Sequence, residues 1–226
     1  MSHFAVAVFH RQDQSVEELL APYDEGMKVA PYIVFTRAEA IDYAREHYDM
    51  EERTNEECWQ MMAEDALTDE DGNIYSTYNR DSQWDWWVIG GRFSGMLLKD
   101  GERVDSGRVG DLEFFFDEKA YEAGLRFWDA AIDHKTAKEG ERFSAYKEKA
   151  YRTFYVDRET YATFLAHFST FAVITPDGIW HSMSKSGRWG TPVAPEELQE
   201  WEDSYQRRFL DTADPEWYVT VVDCHI

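Results

Sequence analysis

WYVTVVDCHI, residues 217–226, decides how the rest of the chain is read. It is an apolar run of strand length that carries a carboxylate, a thiol and an imidazole near its end. HFAVAVF, residues 3–9, is a second such run. Both termini therefore read as strands, and the expectation is that they lie side by side in one sheet. Side chains alternate along a strand, so Asp223 and His225 share one face while Cys224 points to the other. Within one strand Cys224 then cannot use His225 as its base. Asp223 and His225 can act as a base and its orienting carboxylate, or ligate a metal if a third group arrives. His3 or His10 can meet His225 if the terminal strands are neighbours, and His181 in the IWHSM stretch is a further candidate. The plainer reading is that these histidines only complete hydrogen bonds of the fold.

QWDWWVIGGRFSG, residues 83–95, is the second dense stretch. Strand alternation puts Trp84, Trp86 and Val88 on one wholly apolar face, and Asp85, Trp87 and Ile89 on the other. A buried aspartate is costly unless paired. Arg92 is the expected partner of Asp85, because a guanidinium can grip a carboxylate with two hydrogen bonds. Gly90 and Gly91 allow positive φ or a bulge between them. One reading is a core strand with an internal ion pair. The other is a rigid binding surface of Trp84, Trp87 and Arg92, since Trp and Arg dominate interface hot spots. Gly187-Arg188-Trp189 echoes Gly91-Arg92-Phe93, which adds Arg188 and Trp189 to that surface.

Between these stretches the chain alternates helix and strand signals. Residues 10–32 read mostly as loop, and YIVF, 32–35, as a short strand. Thr36 with Glu39, and Thr54 with Glu57, are capping boxes that open two helices. DEDGN, 69–73, is a turn; it lacks the spacing and the closing glutamate of a calcium loop. WDWWVIGG and FSGMLLKDG read as neighbouring strands, and 101–112 as loop. Asp117 caps a helix whose apolar stripe is Tyr121, Leu125, Trp128 and Ile132. A second helix is expected around 141–153, with Phe143 and Tyr146 as anchors, and a third follows Asp157. FAVITPDGIWHSM, 171–183, is a hairpin about a Pro-Asp-Gly turn. Pro195 opens a last helix with Leu198, Trp201, Tyr205 and Phe209 on its buried side. With no composition break and no long linker, residues 1–226 are expected to form a single α+β domain. Its helices would pack on a single, mainly antiparallel sheet.

Composition bounds the function classes. Hydrophobic residues make up 43% and aromatics 16%, so the chain should fold. Forty-five acidic against 23 basic residues leave a net charge of −22. Such a field repels phosphate backbones and anionic lipid, so direct nucleic-acid and membrane partners are not expected. A basic protein surface suits it better, and solubility alone is the plainer account. Cys58 and Cys224 are too few for a disulfide scaffold, and the N-terminus lacks a signal peptide's basic region, so the cytoplasm is the expected compartment. There is no HExxH, paired CxxC, GxGxxG or Walker loop, and neither a metal nor another cofactor is expected.

Four words together add a resemblance. The start MSHF-V-V, the segment APYDE at 21–25, the middle WDWWVIGGRFSG and the end TVVDCHI resemble a family of uncharacterised bacteriophage and prophage proteins. Its members carry a similar KWDWY-GGRW-G segment. The resemblance implies a phage origin and an intracellular, host-facing setting. It supplies no catalytic residues.

Two functions are expected above the rest. The first is an accessory protein that binds a basic, nucleic-acid-binding host protein through its acidic surface, as an inhibitor or in an anti-defence role. The second is an enzyme for a small molecule or nucleotide, with Asp85, Arg92, His181, Asp223 and His225 lining one cleft. A structural or assembly role is the third.

Overall fold

The computed structural model describes residues 3–114, 116–135, 148–155, 157–184 and 193–226. They fall into two compact units: Met1–Asp24 with Gln83–Ile226, and Glu25–Ser82.

The first unit is built around strands β1 (His3–His10) and β11 (Tyr218–His225), which pair antiparallel from His3↔His225 to His10↔Tyr218. In both, every residue between the two end positions is buried. A strand covered on both faces needs apolar side chains on both faces, which is why these segments run almost continuously apolar instead of alternating. Asp223 is the one carboxylate inside that buried run.

Around this pair stand β9 (Ala172–Ile174) and β10 (Trp180–Ser182) on one side, and β5 (Trp86–Ile89) and β8 (Ser106–Arg108) on the other. The order is β10-β9-β1-β11-β5, with β8 also on β11. β9 runs parallel to β1, so this six-stranded sheet is mixed. One face packs Phe4, Val6, Val8, Val222 and Cys224 against Leu20, Trp84 and Phe171. On the other face, Phe9, Val219 and Val221 pack against Trp201, Tyr205 and Phe209. Burying a side chain of this size is worth roughly 1.5–3 kcal/mol, and the two clusters clamp the sheet from both sides.

Helices of this unit are α1 (Val16–Leu20), α4 (Glu118–Phe127), α5 (Glu148–Phe154), α6 (Arg158–Ala166) and α7 (Pro195–Tyr205). Asp117 and Asp157 cap α4 and α6 as expected, accepting from Ala120 N at 3.0 Å and Thr160 N at 2.8 Å. α4 and α7 each widen into a π turn, at Trp128–Ile132 and Gln206–Leu210. The predicted stripe of α4 thus continues through Trp128 and Ile132, both buried, on a different helical period. A two-stranded ribbon, β6 (Leu97–Lys99) with β7 (Glu102–Val104), completes the unit.

In the second unit α2 (Arg37–His47) and α3 (Asn55–Ala63) start at the predicted capping boxes. β2 (Lys28–Phe35), β4 (Ile74–Tyr78) and β3 (Leu67–Thr68) form its sheet in the order β2-β4-β3. Asp69 closes the predicted turn by accepting from the amides of Asp71 and Asn73.

Several expectations need correction. There are three sheets among the described residues, not one, and the largest is mixed because β9 enters beside β1. Residues 10–32 hold α1, opened by a Ser15–Glu18 capping box, and β2 begins four residues before YIVF, at Lys28. FSGMLLKDG does not pair with WDWWVIGG; β6 takes β7, its sequence neighbour across the Asp100-Gly101 turn. Residues 101–112, read as loop, carry β7 and β8. Phe143 and Tyr146 lie outside the described residues.

Candidate functional site

Sheet register brings the ends of three strands together. His3 stands opposite His225 and Ala5 opposite Asp223. Across the other edge of β11, Trp86 stands opposite His225 and Val88 opposite Asp223. Paired residues in a sheet project to the same face, so His3, Asp223, His225, Trp86 and Val88 rise together from one end of it.

Two histidine–carboxylate pairs result. His3 Nδ1–H donates to Asp223 Oδ1 at 2.8 Å, and the second oxygen, Oδ2, accepts from the Arg92 amide at 2.9 Å. Asp223 is only 2% exposed, so these two donors are what make its burial tolerable. His225 Nδ1–H donates to Asp85 Oδ1 at 2.7 Å. The imidazole centroids lie 5.1 Å apart, at an angle of 67°. An ionised carboxylate only accepts, so each Nδ1 keeps its proton and each Nε2 carries a lone pair when the ring is neutral. His225 Nε2 is buried and has no hydrogen-bond partner among the described residues. Trp86, half exposed, stands edge-on to His3 at 6.4 Å and walls this end of the sheet.

The GGRF word makes the arrangement possible. Gly90 and Gly91 have φ of +68° and +52°, where side chains are strained. A Cβ on Gly91 would stand 2.6 Å from both Cβ and Oδ2 of Asp223, and one on Gly90 would meet the carboxylate of Asp105. Asp105 in turn accepts from Gly95 N at 2.6 Å and Ser94 Oγ at 3.1 Å. The turn therefore presses backbone onto Asp223 and delivers the Arg92 N–H to it.

The predicted site residues have divided fates. Asp85, Asp223 and His225 come together, joined by His3 as the terminal pairing required. Arg92 joins through its amide and not as the ion-pair partner of Asp85; its residue is exposed, and its guanidinium has no partner among the described residues. Asp85 prefers His225 because β5 pairs with β11 and sets the two side by side. His181 stays out of the cluster. It sits on β10, three strand spacings from β11, or about 14 Å. There its ring lies 5.3 Å from Phe209, and burial, with the nearby Arg208 charge, holds its pKa below the usual histidine value. His10 stacks on Tyr218 at the other end of the strand pair. Cys224 is buried in the opposite core, which pushes its thiol pKa up and leaves it no role as a nucleophile.

The binding residues also shift. Trp84 is buried and donates its Nε1–H to Leu20 O at 3.2 Å, and Trp87 packs on the same core cluster, so neither offers a free surface. The strand begins only at Trp86, which breaks the alternation assumed from Trp84 onward. Trp86, 50% exposed, is the tryptophan at the surface. Arg188 and Trp189 lie outside the described residues. Asp105 was not singled out from the sequence, and only the unusual Gly-Gly pair hinted that something pressed on that turn.

Among the described residues, no group of three or more His, Cys, Asp or Glu side chains is placed to hold a metal ion. None of their helices is long and apolar enough to cross a membrane. Comparison of the chain with protein-family models, with curated proteins and with solved structures finds no match.

Proposed function

We propose that the end of the central sheet is an acid–base site acting on a small anionic substrate, a phosphoric ester or nucleotide. The observation that carries this reading is the pair of imidazoles 5.1 Å apart, each with its Nδ1 held by its own carboxylate. A carboxylate on Nδ1 orients the ring and stabilises the imidazolium that forms when Nε2 takes a proton. Two such rings side by side supply both halves of proton transfer. The neutral ring takes a proton from the attacking water as its oxygen bonds to phosphorus. The protonated ring gives one to the leaving oxygen as the ester P–O bond breaks. Arg92, whose amide is bonded to Asp223 and whose residue is exposed, carries the guanidinium that this reading assigns to the phosphoryl oxygens.

The test is an NMR titration that follows the histidine Cε1–H signals against a panel of nucleoside monophosphates, cyclic nucleotides and aryl phosphates. The expected result is saturable shifts confined to His3 and His225, with turnover of at least one compound. Silence of both histidines across the panel, with no turnover, removes the reading.

A second reading is favoured by the −22 charge together with the exposed apolar side chains of edge strand β5, Trp86 and Val88 on one face and Ile89 on the other, 50%, 38% and 48% exposed. In it the chain is a phage-type accessory protein working inside the host cell, where its acidic surface captures a basic, nucleic-acid-binding host protein. Charge would then govern encounter, and a central aromatic would govern residence. Trp86→Ser should weaken a purified complex about tenfold or more, and raising the salt should slow association. Association that ignores both changes argues against this reading.

A further inference from the structure

A cavity of about 630 Å³ opens elsewhere in the first unit, between α6 and α7. None of its lining residues belongs to the histidine cluster. Its walls are aromatic, with Phe114, Phe116, Tyr155, Phe164 and Phe168 among them. Its carboxylates are Asp157, Glu159, Glu202 and Asp203, and neither lysine nor arginine lines it among the described residues. The volume suits a small molecule. The π turn at Gln206–Leu210 contributes both of its end residues to the wall, and such turns concentrate at functional sites.

We infer that this cavity is a binding site for an organic cation, an alkylammonium or guanidinium group carried on an apolar body. Aromatic faces attract a cation through their quadrupole, and a partly desolvated carboxylate completes the cage. An anion of the same size would meet these carboxylates with no lysine or arginine among the described lining residues, Arg158 being drawn to Glu159 at 3.1 Å.

Glu202 is the group through which binding becomes visible. It accepts from Ser169 Oγ at 2.6 Å, and its neighbours in the cavity are Asp203, Tyr155, Tyr205, Asp157, Glu159 and His167. Burial, aided by the charge of Asp203, pushes its pKa up to about 7. Its folded pKa thus lies above the ordinary carboxylate value, so the folded chain holds a proton that the unfolded chain releases. Stability from this group is present at low pH and is lost as pH rises toward 7. A bound cation favours the ionised form. Affinity should therefore rise as pH passes through about 7; His167 also lines the cavity.

The experiment is calorimetry on the full chain at 150 mM salt, with phenethylammonium, spermidine and a lysine-containing peptide as probes, and phenylpropionate as the anionic control. The expected result is saturable binding of at least one cation and none of phenylpropionate. Phe116→Ala and Glu202→Gln should each weaken the cation at least tenfold, while His225→Gln leaves it unchanged. The rise in affinity with pH should persist in His167→Gln and vanish in Glu202→Gln. Phe116 is 40% exposed, so its variant tests the site even if Glu202→Gln folds poorly. A preference for the peptide over the free amines assigns the cation to a protein side chain, and the reverse assigns it to a metabolite. Equal affinity in the wild type and both cavity variants, no cation binding, or binding of phenylpropionate overturns the inference.

Discussion

Replacing Asp223 by alanine is expected to lower the stability of the fold by about 3 kcal/mol, within the range for breaking a buried charged partnership. Its carboxylate is 2% exposed and answers two donors, His3 Nδ1–H and the Arg92 amide. Alanine removes both acceptors at once. The Arg92 amide is then left unpaired against the sheet, and an orphaned buried donor costs about 1–3 kcal/mol on its own. The Gly90-Gly91 turn, built to press on that carboxylate, loses its contact as well. Asp223→Asn keeps the shape and one acceptor, so it should lose roughly half as much. Urea unfolding reads this directly, as a lower midpoint with an unchanged slope. A loss below about 1 kcal/mol for the alanine variant would show that the pairing contributes little.

His225→Gln is expected to do the opposite: a large effect on chemistry and a small one on folding. The ring is held by Asp85 at 2.7 Å, but Asp85 is exposed and recovers water when the ring is gone. Stability should change by about 1 kcal/mol, since the one hydrogen bond lost is to an exposed carboxylate and the ring's Nε2 has no partner among the described residues to lose. With whichever phosphoric ester is turned over, kcat/KM should fall by about 10²–10⁴, the usual contribution of a general acid or base. His3→Gln should produce a fall of the same order. The double variant should lose little more than either single one, because the two rings serve one proton-transfer cycle. Turnover that survives in the double variant would place the chemistry elsewhere.

Much of the local structure was legible because its causes lie within a few residues. A threonine and a glutamate three positions on satisfy each other's backbone donors wherever the chain goes, so α2 and α3 begin where Thr36 and Thr54 stand. Asp117 and Asp157 cap their helices for the same reason. The split between Asp223 and His225 on one face and Cys224 on the other follows from strand alternation, and the core contacts keep to it. Ser15 carried the same capping signal as the two threonines and was obscured by the prolines and glycine around it.

The site was legible only in part. Asp85, Asp223 and His225 could be marked as candidates from residue type and the density of the words around them. Their partners could not. Asp85 faces two sequence-plausible cations, and Arg92 is seven positions away while His225 is 140. Proximity in the chain favoured the arginine; strand pairing awarded the carboxylate to the histidine. Trp84 and Trp86 differ in burial because the strand begins between them, at a point set by β11 and not by the tryptophans themselves.

By itself, the sequence determined that both termini are strands, where the capped helices begin and which way the end residues point. Each of these depends on hydrogen bonds and side-chain alternation over a handful of positions. Only the tertiary structure decided that β9 enters parallel to β1, that three separate sheets form, and that His3, Asp85, Asp223 and His225 meet. Those outcomes rest on pairing between segments up to 222 residues apart, where each carboxylate takes the donor that the assembled sheet sets beside it.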